Sequence, residues 1–545
     1  MILGFVGRDD YKMSMKDFNL KETLSEMLPD ASSVSPLCCR PSMRERLSEF
    51  IIPVNTLFKG KTGENAIIFS IAVLGLIIRL IYFSGDGLGD DPGYFWAFRS
   101  IYDGHILNQA YFYRFSYWIP QIIIWKLFGI SEFTFILPVL LSSIACIYVV
   151  YLITEELFDS NAGLIAAALM AVNPFEVLNA TLISTDVNLS LYMLLSVYFF
   201  IQAQKTYSKY YFFLSALFVF FGFVNKPLGL FILPVISTFY FKREGLKLHN
   251  FLRYSYFLTS LFVLFLLLFT VCWVSTGEPF TYFTIYKEEM GKIDRFQLSI
   301  YPKQMFFKNE FGERLHGYHF YTVLLALLFI RKDNAKEVLP VFAWFLMLFS
   351  LVEFAPHRIR NFTPYTAQRI FRYFVMVVPP SIIFVSYFWN KLRIHNKAIF
   401  SFLFVFYISL SVYWCQDSTR IARIAFGETR TAIKYLKNLG DVNIYSDLDF
   451  ILKIERLENK GIYSPNLHFW MNAETPEAWK EKFLSVQEGY VVTGGPRLPY
   501  YGCWRCIPNL GNFIPPKNWK LVKEFNNDLY PPWKLEPLRI WYVKR

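Results

Sequence analysis

A polytopic α-helical membrane protein of about eleven crossings, ending in a small extracytoplasmic α/β domain, is the fold class this sequence predicts. Hydrophobic residues make up 54% of its 545 residues and charged residues only 18%. A soluble domain carries roughly 25% charged residues, and the mean hydropathy here is +0.31. Apolar runs approaching the ~20 residues that cross ~30 Å of hydrocarbon recur along most of the chain. From residue 416 onward they stop, and polar, alternating stretches take over. The formal charge of +12 would alone suggest nucleic acid; in so apolar a chain it is read as a membrane feature, with no nucleic-acid partner.

Residues 1–65 are polar and lack the apolar stretch and small-residue cleavage site of a signal peptide, so they read as a cytoplasmic segment before an uncleaved first span. That span covers 66–84. A polar stretch, 85–117, and a short amphipathic piece, 118–128, follow; the latter suits an interfacial helix. Further runs lie at 133–153, 162–178, 187–201, 211–224, 228–241 and 257–274, then, after a polar loop at 275–317, at 318–330, 338–354, 373–389 and 399–415. Residues 66–415 are expected to form the membrane domain and 416–545 an extracytoplasmic domain with strands near 442–445, 489–493, 519–525 and 538–543.

Loop charge sets the expected orientation, because Lys and Arg accumulate in short cytoplasmic loops. With the N-terminus inside, the inner loops hold Lys205 and Lys209, then Lys242, Arg243 and Lys247, then Arg331, Lys332 and Lys336, then Lys391, Arg393 and Lys397. The loops 85–117, 275–317 and 355–372 then lie outside, with the C-terminal domain. A multi-pass protein of a prokaryotic cell membrane is expected.

Ionisable groups at span ends are costly unless they face a cavity, so they mark candidate sites. Asp90 and Asp91 follow the first span in a Gly-Asp-Asp-Pro-Gly-Tyr sequence, read as a turn fixed by Pro92 and Gly93. One carboxylate could act as a general base and the other could orient it or hold a cation; a solvated turn is the plainer alternative. Loop 355–372 places His357, Arg358, Arg360, Arg369 and Arg372 on the side where few cations are expected, and Arg114 and Lys226 face the same way. Snorkelling to headgroups is the competing explanation for each, and the preferred one for Arg79. Asp186, after Ser184 and Thr185, could simply cap a helix. His316 and His319 could ligate a cation, but no metal is assigned to them. Cys503 and Cys506 could form a disulfide in an outside domain, and Asn361-Phe362-Thr363 is a sequon. Cys146, Cys272 and Cys415 lie within apolar runs as small hydrophobes.

The ordered set Asp90-Asp91-Pro92-Gly93-Tyr94, Tyr117-Trp118-Ile119-Pro120, Lys126-Leu127-Phe128-Gly129, Glu155-Glu156-Leu157-Phe158, Asn173-Pro174 and Ser184-Thr185-Asp186 resembles the membrane glycosyltransferases of the GT-C class. The nearest likeness is to the protein O-mannosyltransferase and aminoarabinose transferase group. Asn225-Lys226-Pro227-Leu228, Gly277-Glu278-Pro279-Phe280, and Arg372-Tyr373 followed by Pro379-Pro380 resemble its later landmarks in the same order. The chain departs from the pattern in having Asp91 where Glu is usual and Arg114 near the place of a Lys-Pro-Pro. The resemblance implies a sugar donor carried on polyprenyl (dolichyl-type) phosphate, an acidic base in the first outer loop, and inversion at the anomeric carbon. The acceptor would be a lipid, a glycan or a protein. Asp90 and Asp91 are the expected catalytic pair. Tyr94, Arg114, Asp186, Lys226, Arg358, Arg369 and Arg372 are the expected substrate-binding set, and a divalent cation is the one cofactor left open. An oligosaccharyltransferase would need a WWDYG motif, which is absent. A transporter or lipid flippase, the alternative of another class, predicts paired broken spans, and a scaffold would leave Asp90 and Asp91 dispensable.

Overall fold

A computed structural model describes residues 62–85, 90–105, 109–244, 248–283, 294–295, 300–308, 314–332, 334–354, 356–360, 363–366, 371–447, 450–451, 453–454, 457, 465–470, 481–482, 484–493, 515–525 and 537–544. Residues 1–61, the Cys503–Cys506 pair, Arg369 and Asn361 lie outside the described residues. The helices are α1 (Thr62–Ile81), α2 (Asp90–Tyr102), α3 (Phe115–Phe128), α4 (Glu132–Leu157), α5 (Ser160–Ala171), α6 (Pro174–Ala180), α7 (Thr185–Thr206), α8 (Lys209–Asn225), α9 (Ile232–Glu244) and α10 (Leu248–Thr276). They continue with α11 (Ile300–Phe306), α12 (His319–Leu327), α13 (Ala335–Phe354), α14 (Val378–His395) and α15 (Lys397–Lys437).

Among the described residues seven helices are long and apolar enough to cross a membrane, and the bent pair α5–α6 would make an eighth. Two shorter apolar helices, Lys209–Asn225 and Pro227–Tyr240, bring the candidates to the run at 228–241. The run at 318–330 forms only α12, nine residues, about 14 Å long at 1.5 Å per residue and too short to cross alone. Ile67, Phe69, Leu74 and Ile81 on α1 and Phe402, Val405 and Phe406 on α15 keep their apolar side chains exposed. That is how a helix facing lipid tails looks.

Capping residues fix the turns that place the interior. Ser131 and Thr134 form a reciprocal capping box at the start of α4, and the Asp159 side chain caps α5. Asn173 accepts from the Glu176 N–H and Pro174 supplies a first-turn residue with no N–H to lose, so α6 starts afresh at 59° to α5. All seven residues of α6 are buried.

Arg79 does not snorkel. It is 0% exposed; its Nε donates to Ser143 Oγ at 2.9 Å and its Nη1 to the carbonyls of Gly75 and Ala171, each at 3.0 Å. Ser143 in turn donates to Glu176 Oε1 at 2.9 Å. Because α1 packs on α4 and α5, the side chain that a lone helix would send to headgroups finds acceptors inside the bundle.

Helix α15 runs 41 residues, ~60 Å at 1.5 Å per residue, so it crosses and then continues as a stalk; the expected boundary at 416 falls inside it. Beyond Cys415 its apolar residues recur at helical spacing, and Ala432, Ile433 and Leu436 pack on the C-terminal sheet. The strands are β1 (Asp294–Arg295), β2 (Pro356–Arg360), β3 (Thr363–Thr366), β4 (Ile444–Asp447), β5 (Leu467–Trp470), β6 (Glu488–Thr493), β7 (Lys520–Phe525) and β8 (Leu538–Lys544). The C-terminal sheet has the order β5-β4-β6-β8-β7, with β4 parallel to β5 and β6 and the remaining pairs antiparallel. β5 was not among the expected strands. Part of loop 355–372 forms the antiparallel β2–β3 pair, with β1 on the other side of β3.

Candidate active site

Asp90 and Asp91 open α2 rather than sit in an isolated turn. Pro92 is tolerated in a first helical turn, which has no N–H bond to lose. Gly93 keeps the helix close to Tyr111, whose hydroxyl would lie 3.1 Å from an added Cβ. One turn on, Tyr94 is buried at 5% exposure, with its ring edge-on to Tyr111 and Tyr117. Arg114, just before α3, donates from Nη1 to the Tyr94 hydroxyl at 2.6 Å, and its guanidinium lies 5.1 Å from the Tyr111 ring centre. The aromatic residues thus hold this cation as well as pack against it.

Asp186 lies in the first turn of α7, where the Ser184 hydroxyl accepts its backbone N–H, and it is 0% exposed. Lys226 comes from the break after α8. Its extended backbone is the conformation favoured before Pro227, and Asn225 ties the break to α7 by donating to the Thr185 carbonyl at 2.7 Å. Gly229 packs against the backbone of Gly222 and Phe223, where a Cβ would collide.

Held this way, Lys226 Nζ donates to Asp186 Oδ1 at 2.6 Å and sits 3.7 Å from the centre of the Tyr373 ring. Arg372 Nε lies 3.5 Å from Asp186 Oδ2. Lys226 also feels the like charges of Arg372 and Arg114. The Lys226 and Arg372 side chains are 13% and 15% exposed, so neither reaches out as a surface anchor would. Lys226 and Arg372 thus converge on Asp186, with Arg114 near, in a site mostly closed to water. Such a site suits an anion.

Of the sequence candidates, the structure brings Tyr94, Arg114, Asp186, Lys226 and Arg372 into one neighbourhood. Arg358 stands on β2, opposite Tyr365 of β3. His319 Nε2 shares a hydrogen bond with Ser381 Oγ at 2.7 Å, and the His316 ring packs among Phe175, Phe320 and Phe374. Among the described residues no group of three His, Cys, Asp or Glu could hold a metal ion. Tyr111 and the tie that Asn225 makes to Thr185 were not singled out. Asn225 was visible inside the Asn-Lys-Pro landmark, whereas Tyr111 carried no signal.

Residues 115–273, α3 through most of α10, match the family model described as dolichyl-phosphate-mannose-protein mannosyltransferase. No curated protein matches the sequence. Among solved structures, ArnT from Cupriavidus metallidurans bound to undecaprenyl phosphate aligns with a TM-score of 0.53 and 12% identity, over 88% of this chain and 98% of that one. The apo state of the same protein gives 0.52 and 12% over the same shares. AglB, an archaeal oligosaccharyltransferase from Archaeoglobus fulgidus, is more distant, with a TM-score of 0.46 and 13% identity over 79% of this chain and 69% of that chain. The chain is thus similar to the protein mannosyltransferases over residues 115–273 and shares the fold of ArnT over most of its length.

Proposed function

We propose that the protein transfers a sugar from a polyprenyl-phosphate donor to a lipid, glycan or protein acceptor on the extracytoplasmic side of the membrane, with inversion. The observation that carries this reading is the convergence of Lys226 and Arg372, with Arg114 near, on the buried Asp186. A lipid-linked phosphate is an anion delivered at membrane depth, and ArnT, which shares the fold, has been solved with undecaprenyl phosphate bound.

The residue roles follow from the chemistry. Asp90 takes the proton from an acceptor hydroxyl as its oxygen attacks the anomeric carbon from the face opposite the phosphate. The bond from that carbon to the phosphate oxygen breaks, and polyprenyl phosphate leaves with one more negative charge, which Lys226, Arg372 and Arg114 stabilise. Asp91 orients Asp90. Asp186 orients Lys226 and Arg372 without cancelling their charge. Tyr94 holds Arg114, and Arg358 and Arg369 supply further charge from the 355–372 segment. A divalent cation, if used, would bind the Asp90–Asp91 pair.

The N-terminal segment, 1–65, is then cytoplasmic, 66–415 is the transferase, and 416–545, with the α15 stalk, is extracytoplasmic; the alternation of basic loops supports this orientation. Purified protein in liposomes, supplied with labelled polyprenyl-phosphate sugars and a cell-envelope acceptor fraction, should transfer label and release polyprenyl phosphate. A folded protein that neither binds polyprenyl phosphate nor transfers sugar from any such donor refutes the reading.

A further inference from the structure

We propose that Arg430 is a positioning residue through which the C-terminal unit holds the start of the acidic segment in place against the helix turn that carries Asp186. The inference rests on the transferase reading above. The α15 stalk presents Arg423 and Arg430, two turns apart and therefore on one face, to the end of α1 and the start of α4. The Arg423 guanidinium lies 5.6 Å from the Tyr82 ring centre. Arg430 Nη1 donates to Glu132 Oε1 at 2.9 Å and to the carbonyl of Ser84 at 3.2 Å.

Gly85, the next residue, has φ +91, and a Cβ there would strike Arg430 Nη1. Its N–H donates to the Thr181 carbonyl at 3.0 Å. Thr181 caps the end of α6, and α7 begins at Thr185, next to Asp186. Ser84 and Gly85 are therefore fixed on one side by the stalk and on the other by the turn that leads to Asp186. Asp90, the proposed base, opens α2 five residues further on.

The stalk is not free to move independently of the C-terminal sheet, because Ala432, Ile433 and Leu436, within two turns of Arg430, pack against Ile444, Leu467, Val492 and Ile540. The C-terminal unit is thus more than an appendage. Its seat on α15 fixes Ser84 and Gly85, where the segment leading to Asp90 begins, against the turn that leads to Asp186.

Steady-state transfer and undecaprenyl phosphate binding, measured on the full-length protein in nanodiscs, separate the outcomes. Arg430→Gln should lower kcat about tenfold while leaving the Kd for undecaprenyl phosphate near wild type, since the donor cations are not touched. The charge reversal Arg430→Glu with Glu132→Arg restores an ion pair but not the donation to Ser84, so it should stay slow. A wild-type kcat for Arg430→Gln, a loss of donor affinity matching the loss of kcat, or full rescue by the reversal would each overturn the inference. Failure of the wild-type protein to bind undecaprenyl phosphate would instead count against the transferase reading.

Discussion

Arg79 with Glu176, and Asp186 with Lys226 and Arg372, are both ionic groups taken out of water inside one helical bundle, and they are assembled differently. In the first, one cation and one acid, each 0% exposed, are joined through Ser143, and Arg79 spends its remaining bonds on two backbone carbonyls. Charge balances, and the residues come from within or beside α1, α4 and α6. In the second, the acid is as deeply buried, but two cations contact it, a third stands near, and both contacting cations keep some exposure. These residues come from helix starts and breaks, where the backbone leaves room. The first group is closed and satisfied among its own members; the second keeps two partly exposed cations that a ligand can reach. Burial alone therefore does not mark a functional site, and cations left partly open beside a buried acid do.

Removing one partner should give the largest effect where the group is balanced. Arg79→Met leaves Glu176 as a buried uncompensated acid and should lower unfolding stability by about 3–5 kcal/mol, while the double change Arg79→Met with Glu176→Met should recover most of it. Denaturant unfolding in detergent checks both. Stability of Arg79→Met equal to wild type would erase the distinction between the two groups.

Asp90→Asn keeps the shape of the proposed base and removes its basicity. Turnover should fall ~10²-fold or more, with donor binding retained; single-turnover transfer measured beside donor binding reads both. At the phosphate end, a charge-assisted contact is worth ~1.5–3 kcal/mol, so Arg372→Ala should weaken donor use roughly ten- to a hundredfold. Arg372→Lys should remain defective, because a point charge does not replace a fork that can face both Asp186 and a phosphate oxygen. A fully active lysine variant would return Arg372 to the role of a membrane anchor.

Glu428, on the stalk beyond the α15 span, adds a third kind of acid to the comparison, and the smallest effect. Burial alone raises its carboxyl from 4.5 to about 7. The folded protein then keeps a proton that the unfolded chain releases above pH ~4.5, so stability should decline as pH rises toward 7 and level off above it. Melting curves between pH 5 and 7.5 should show a slope that Glu428→Gln reduces.

Much of this was legible in the sequence, and what was not shares a cause. The long apolar runs marked the principal spans, and the landmarks in order marked Asp186, Lys226 and Arg372 as candidates. That these three touch is tertiary information: Asp186 and Lys226 are 40 residues apart in sequence, brought together by the break at Asn225 and its bond to Thr185. Arg79 reads as an anchor from its own helix alone, and only the packing of α1 on α4 and α5 turns it inward. The boundary at 416 follows hydropathy, whereas α15 follows helical periodicity and runs through it. β5 is four residues long with no polar alternation, Leu467-His468-Phe469-Trp470, and so carried little pattern to read.

The claim on which the rest depends is that the partly open group at Asp186, Lys226 and Arg372 binds the phosphate of a lipid-linked donor. Equilibrium binding of undecaprenyl phosphate to the full-length protein in nanodiscs, compared between wild type and Lys226→Met, tests it most directly. Wild type should bind saturably, and Lys226→Met should bind at least tenfold more weakly with its melting temperature nearly unchanged. Equal affinity in the two proteins, or no saturable binding by wild type, would contradict it.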